Sequence, residues 1–124
     1  MCPECGEPLV TFELEGIETD HCQKCGGAWL DAGEIEEIAE RSGGSKKLRA
    51  ALKSAGESPH GKRKCVRCSA PMSAVSFGTV ILDRCPYGHG IWFDKGEIAA
   101  VIRADGGELG GYLKEMFKNE IWST

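Results

Sequence analysis

Seven cysteines and one histidine carry the chemistry that can be read from this chain, and their spacing says what that chemistry is. Cys2, Cys5, Cys22 and Cys25 read C-x2-C, sixteen residues, C-x2-C, while Cys65, Cys68, Cys85 and His89 read C-x2-C, sixteen residues, C-x3-H. A C-x2-C pair folds into a tight knuckle that aims two thiolates at one ion, and Pro3 and Gly6 supply the fixed and the permissive φ such a turn needs. Two knuckles together close a tetrahedral site. A disulfide framework would leave one thiol over from an odd count, and a redox C-x2-C comes singly, at a helix start inside a βαβ unit for which this chain has no room. Four thiolates in paired knuckles suit zinc or iron. The imidazole of the second set suits zinc and disfavours a four-thiolate iron site. His21 and His60 are expected to be ordinary exposed side chains, because each site already has its four ligands.

The two ligand sets belong to an internal repeat. An offset of 63 residues lays Cys2 on Cys65, Cys5 on Cys68 and Cys22 on Cys85, with Pro8 on Pro71 and Asp20 on Asp83. It goes on to lay Trp29, Asp31, Gly33, Glu34 and Ile35 on Trp92, Asp94, Gly96, Glu97 and Ile98, and Gly43 and Gly44 on Gly106 and Gly107. This is a duplicated module of about 40 residues. Only the fourth ligand is out of register: Cys25 falls on Gly88, and His89 stands one place further on. The duplication extends the zinc preference of the second site to the first, so the expected cofactor is Zn²⁺, two ions per chain.

These ligands need elements to position them. Between the knuckles of the first copy, Leu9, Val10, Phe12 and Leu14, then Gly16, then Ile17 and Thr19 predict a strand, a turn and a second strand. After the second knuckle of each copy comes W-[LF]-D-x-G-E-I, in which Asp31 with Glu34, and Asp94 with Glu97, have the spacing of a capping box. A helix is predicted from there, with Ile35, Ile38 and Ala39, or Ile98, Val101 and Ile102, on the face that packs against the hairpin and Trp29 or Trp92 beneath. Four protein ligands leave no open position for water or substrate, so the Trp-Asp-Glu clusters read as structural and the chain as non-enzymatic.

CPECG…DHCQKCGGAWLDAGEIEEI and CVRC…DRCPYGHGIWFDKGEI both resemble the transcription factor IIB type zinc ribbon family of small bacterial and archaeal proteins, over about 80 of the 124 residues. The resemblance implies a zinc-binding, non-catalytic module. In the transcription factor that names the family the ribbon docks on RNA polymerase, which makes transcription machinery the partner by analogy. Two departures from the pattern are Ser69, where the first copy has Gly6, and the shift to His89.

The charge is segregated. Residues 1–40 carry 11 acidic side chains and 1 basic, residues 41–64 carry 1 and 8, and residues 65–124 carry 7 and 6. A nucleic-acid binder of this size is usually basic, yet the net charge here is −4. The basic segment predicts a short helix, capped by Ser45 and ended by Gly56, with Leu48, Ala51, Leu52 and Ala55 as its apolar stripe. Its cations, Lys46, Lys47, Arg49, Lys53, Lys62, Arg63 and Lys64, have two readings: phosphate contacts to nucleic acid, or neutralisation of the acidic first module. At the other end Leu109, Tyr112, Leu113, Met116, Phe117 and Ile121 fall at helical spacing, an apolar face for the chain's own modules, for a second copy or for a partner.

The expected fold is therefore small, metal-stabilised and α+β. Two zinc ribbons, residues 1–41 with four cysteine ligands and residues 65–105 with three cysteines and a histidine, are each a short antiparallel β-hairpin plus a following helix. They are joined by a basic helical linker over 42–64 and followed by an amphipathic helix over 106–124. A structural zinc site is worth on the order of 10 kcal/mol or more, whereas a core this small comes out near zero on its own. No run approaches the roughly 20 apolar residues that span a bilayer, and the start MCPEC lacks the basic-then-apolar order of a signal peptide. A membrane location is not expected. Reduced thiols place the chain in the cytosol. Its expected function is protein interaction within transcription, with nucleic-acid binding through the linker as the alternative.

Overall fold

A computed structural model of the chain describes residues 1–14, 16–41, 46–53, 59–77, 80–97, 99–101 and 111. Each module builds its hairpin where alternating apolar residues flank a turn. In the first, β1 (Val10–Leu14) pairs antiparallel with β2 (Ile17–His21), from Val10 opposite His21 to Leu14 opposite Ile17, and Gly16 turns between them at φ +84°. In the second, β5 (Pro71–Phe77) pairs with β6 (Val80–Arg84), from Ser73 opposite Arg84 to Phe77 opposite Val80.

Beyond the hairpins the chain departs from the sequence reading in a way that sets the architecture. The residues at and before the W-[LF]-D motifs, read only as the lead-in to helices, are themselves strands: β3 (Ala28–Asp31), which runs straight into the expected helix at Ala32, and β7 (Gly90–Phe93). β3 adds to β2, β7 adds to β6, and the two then pair antiparallel with each other, Trp29 opposite Trp92 and Leu30 opposite Ile91. One seven-stranded sheet results, in the order β1-β2-β3-β7-β6-β5-β4. Because the facing tryptophans are also repeat equivalents, the modules meet about a local two-fold axis between them, the isologous geometry of a homodimer realised within one chain.

Strand periodicity divides the sheet into two faces. Leu30, Ile91 and Phe93 share one with Ile17, Val75, Phe77 and Leu82. This face is covered by α1 (Ala32–Arg41), whose Ile35, Ile38 and Ala39 are fully buried, as the periodicity predicts. Trp29 and Trp92 point to the other face, among the cysteines. They are therefore not beneath the helices.

The described parts of the segment 42–64, residues 46–53 and 59–64, are packed into the fold and do not stand apart as a linker. Its helix, α2 (Lys46–Lys53), lies against α1 and β5 and buries Leu48 and Ala51 in the main core. Its end is β4 (Pro59–Lys64), the outer strand beside β5, with a register irregularity between Pro59 and Lys64. After the second ribbon the backbone is helical at Glu97 and over 99–101, with Val101 buried. The apolar set Leu109, Tyr112, Leu113, Met116, Phe117 and Ile121 lies outside the described residues, as do the side chains of Lys47, Lys53, His60 and Lys62.

Candidate metal centres

Each knuckle is fixed by its own backbone. Gly6 N–H donates to Cys2 O (2.9 Å) and Cys2 N–H to Glu7 O (2.8 Å), while in the second copy Ser69 N–H donates to Cys65 O (3.0 Å) and Cys65 N–H to Ala70 O (2.8 Å). Gly6 and Ser69 both take positive φ, +75° and +62°, so the serine adopts the glycine's conformation at a steric cost. Amide N–H groups point at the sulfurs: Glu4 and Cys5 at Cys2 Sγ (3.3 Å each), Cys25 at Cys22 Sγ (3.4 Å), Arg67 at Cys65 Sγ (3.3 Å) and Tyr87 at Cys85 Sγ (3.4 Å). Such donors favour the thiolate.

The fourth knuckle explains the shifted histidine. In the first module Gly26, at φ +80°, closes the turn onto Cys22 O, and Gly27 O receives Cys22 N–H. In the second, the positive-φ residue comes one place earlier, Gly88 at +81°, while Gly90 O still receives Cys85 N–H at 3.0 Å. His89 thus stands where Gly26 stands, and its longer side chain brings Nδ1 to 3.2 Å from Cys85 Sγ.

The ligand atoms of Cys2, Cys5, Cys22 and Cys25 all lie within 4.8 Å of one another, as do those of Cys65, Cys68, Cys85 and His89. A zinc tetrahedron with Zn–S bonds of about 2.3 Å has S···S edges of about 3.8 Å. Cys2 and Cys25 sulfurs stand 3.6 Å apart, and Cys68 and Cys85 sulfurs 3.7 Å. The thiols cannot all ionise unaided. Burial works against the Cys22 and Cys85 thiolates, but backbone N–H donors and neighbouring ligand side chains bring both down to about 7. Burial pushes Cys65 up to about 12 and also raises Cys25, each with sulfur neighbours adding to the rise. A cation resolves this conflict, and two such donor sets, one of them with imidazole, are positioned to bind two zinc ions.

Around the sites the capping boxes form, with one change of partner. Asp31 N–H donates to Glu34 Oε1 (2.9 Å) and Asp94 N–H to Glu97 Oε1 (2.7 Å). Among the described residues the aspartate carboxylates are engaged off the helix. Asp31 accepts from Trp29 Nε1 (2.7 Å) and Asp94 from Trp92 Nε1 (3.1 Å), each tryptophan lying two residues back on the same face of its strand. Arginines complete them: Arg67 reaches Asp20 and Asp31, both at 2.8 Å, and Arg63 reaches Asp83 at 2.9 Å and Asp94. The Arg67 hydrogen bond holds the Asp31 carboxyl below its ordinary range. Burial, reinforced by the neighbouring aspartate charge, lifts Glu34 and Glu97 to about 7.

The cations singled out in the sequence are partly engaged within the chain. Arg63 also pairs with Glu4 (3.0 Å), and Arg49 with Glu36 on α1 (3.1 Å). Lys46 and Lys64 are exposed. His21, expected at the surface, is only 5% exposed, with Nε2 2.7 Å from Thr19 Oγ1 and its ring edge-on to Phe12. The burial follows from its place on β2, on the same side as Ile17 and Thr19. Sequence reasoning misses Arg67 as a bridging residue, and Gly27 and Gly90 as contact positions, although the 63-residue offset pairs those two glycines.

The family model described as Transcription factor zinc-finger, of the transcription factor IIB zinc ribbon type, matches residues 1–41 and again residues 64–104. No curated protein and no solved structure gives a significant match. With about two thirds of its length covered by two matches, each holding a complete four-ligand cluster, the chain belongs to the transcription factor IIB type zinc ribbon family as a tandem pair.

Proposed function

We propose that this chain is a non-catalytic zinc-binding module of the cytosol that docks on protein, within the transcription machinery, with RNA polymerase as the partner. The closed character of both sites carries the reading: four protein ligands surround each metal position, which leaves no coordination place for a substrate. The family membership supports transcription as the setting. The charge favours protein over nucleic acid, because Arg49 and Arg63 of the basic segment are committed to Glu36, Glu4, Asp83 and Asp94. Exposed apolar side chains are available for docking: Tyr87 at a knuckle tip (75% exposed), Ile81 (49%) and Phe12 (42%).

The test is direct binding of zinc-loaded protein, tagged at the C-terminus to keep Cys2 clear, to purified RNA polymerase. Saturable binding that disappears with Tyr87→Ala or with metal removal is expected. Absence of binding, together with a mobility shift on nucleic acid that weakens steeply with salt and needs Lys46 and Lys64, would replace this reading with nucleic-acid binding.

A further inference from the structure

The two metal sites are built into each other. Gly27 closes the second knuckle of the first ribbon and Gly90 that of the second, each through its carbonyl. A Cβ on Gly27 would stand 2.2 Å from Trp92 Cζ2, and one on Gly90 would stand 2.7 Å from Trp29 Cζ2. The benzo edge of each tryptophan therefore rests on the knuckle glycine of the opposite ribbon, once in each direction across the local two-fold. Beneath them, the buried ligands of both sites, Cys2 and Cys22 with Cys65 and Cys85, share one apolar cluster with Trp29, Trp92 and Met72.

Polar contacts cross in the same places. Ala32 N–H, at the head of α1, donates to the carbonyl of the ligand His89 at 2.9 Å. Arg67, between ligands Cys65 and Cys68, is held by Asp20 and Asp31 of the first ribbon, and Glu4, between Cys2 and Cys5, is held by Arg63.

From this interlock we infer that the two zinc sites load as one coupled unit, with Trp29 and Trp92 as positioning residues, each for the metal knuckle of the other ribbon. An ion in one site fixes the glycine on which the opposite tryptophan seats. That tryptophan lies on the strand leading directly out of its own knuckle, so seating it orders the second set of ligands before metal arrives. Linkage makes the effect reciprocal, and couplings of this kind are commonly about 5- to 150-fold in affinity.

The test is native mass spectrometry of the intact chain in a zinc buffer set so that chains carry one ion on average. Two independent sites then leave at least half of the chains singly loaded, whatever their separate affinities. Coupling is expected to hold the one-ion species well below half, with metal-free and two-ion chains dominating. A one-ion fraction of half or more that Trp29→Phe with Trp92→Phe does not raise further overturns the proposal. Trp29→Phe with Trp92→Phe removes the benzo rings that cover the glycines and is expected to raise the one-ion fraction towards half; if this pair does not take up two ions at saturation, Trp92→Phe alone is read the same way. Met72→Leu, in the same cluster but not among the nearest neighbours of either glycine, is expected to keep the wild-type distribution. A one-ion fraction unmoved by the phenylalanines, or moved equally by Met72→Leu, overturns the assignment to the tryptophans.

Discussion

Gly27 and Gly90 show what a single missing methyl group permits. Neither has a positive φ, so the backbone does not demand glycine at either; close approach does. At Gly27 the obstacle is an aromatic ring, which can shift, whereas at Gly90 it is also Leu30 O, 2.3 Å from the position of a Cβ, which cannot shift without moving β3. Gly27→Ala is expected to cost about 1–3 kcal/mol by overpacking, and Gly90→Ala more, in urea unfolding of the zinc-loaded protein. Gly33→Ala, in open space on α1, is expected to change stability little or to raise it slightly. Equal effects at all three positions would contradict the interlock. The eight ligands are legible in the sequence because metal chemistry ties residue type to spacing. The glycines are not, since a glycine after a knuckle reads equally well as part of the turn; only the pairing of Trp29 with Trp92 shows what lies against it. His21 escapes for a related reason, because a polar residue beside a ligand gives no sign of the strand face it will occupy.

Elements are legible where a period is long enough to count. The hairpin and α1 follow from alternation and from a capping box, and both form where expected. β3 and β7 are four residues each, too short for a period to declare itself between a knuckle and a helix start. β4 is poorer still in strand formers, PHGKRK, and becomes a strand because the edge of β5 supplies the partner. The helix α2 is legible, but its role is not: an amphipathic octamer rich in lysine reads as a solvated linker until Leu48, 2% exposed, is found packed with Ile38, Val75 and Phe77 in the same core. Leu48→Ala is accordingly expected to cost about 2–5 kcal/mol in the zinc-loaded protein, measured by denaturant midpoint at constant slope. A change within about 0.5 kcal/mol, as for an ordinary surface substitution, would return α2 to the status of a linker.

At the scale of the whole molecule the duplication is the organising fact. Two hairpins that each gain a third strand with one free edge complete one another at β3 and β7, and the chain gains a continuous sheet with helices on one face and both metal centres on the other. The segregated charge has a physical account in the same arrangement, since cations from residues 41–64 reach Glu36 on α1 and Glu4 in the first knuckle. No helix among the described residues is long and apolar enough to cross a membrane. Closure of each metal position by four protein ligands alone is read out by zinc X-ray absorption of the loaded protein. Seven sulfurs and one nitrogen shared by two ions should give a first shell of sulfur at about 2.3 Å with a minor nitrogen contribution at about 2.0–2.1 Å. An oxygen shell, or a sulfur count well below that, would mean an open site, and would contradict both the ligand assignment and the non-catalytic reading that rests on it.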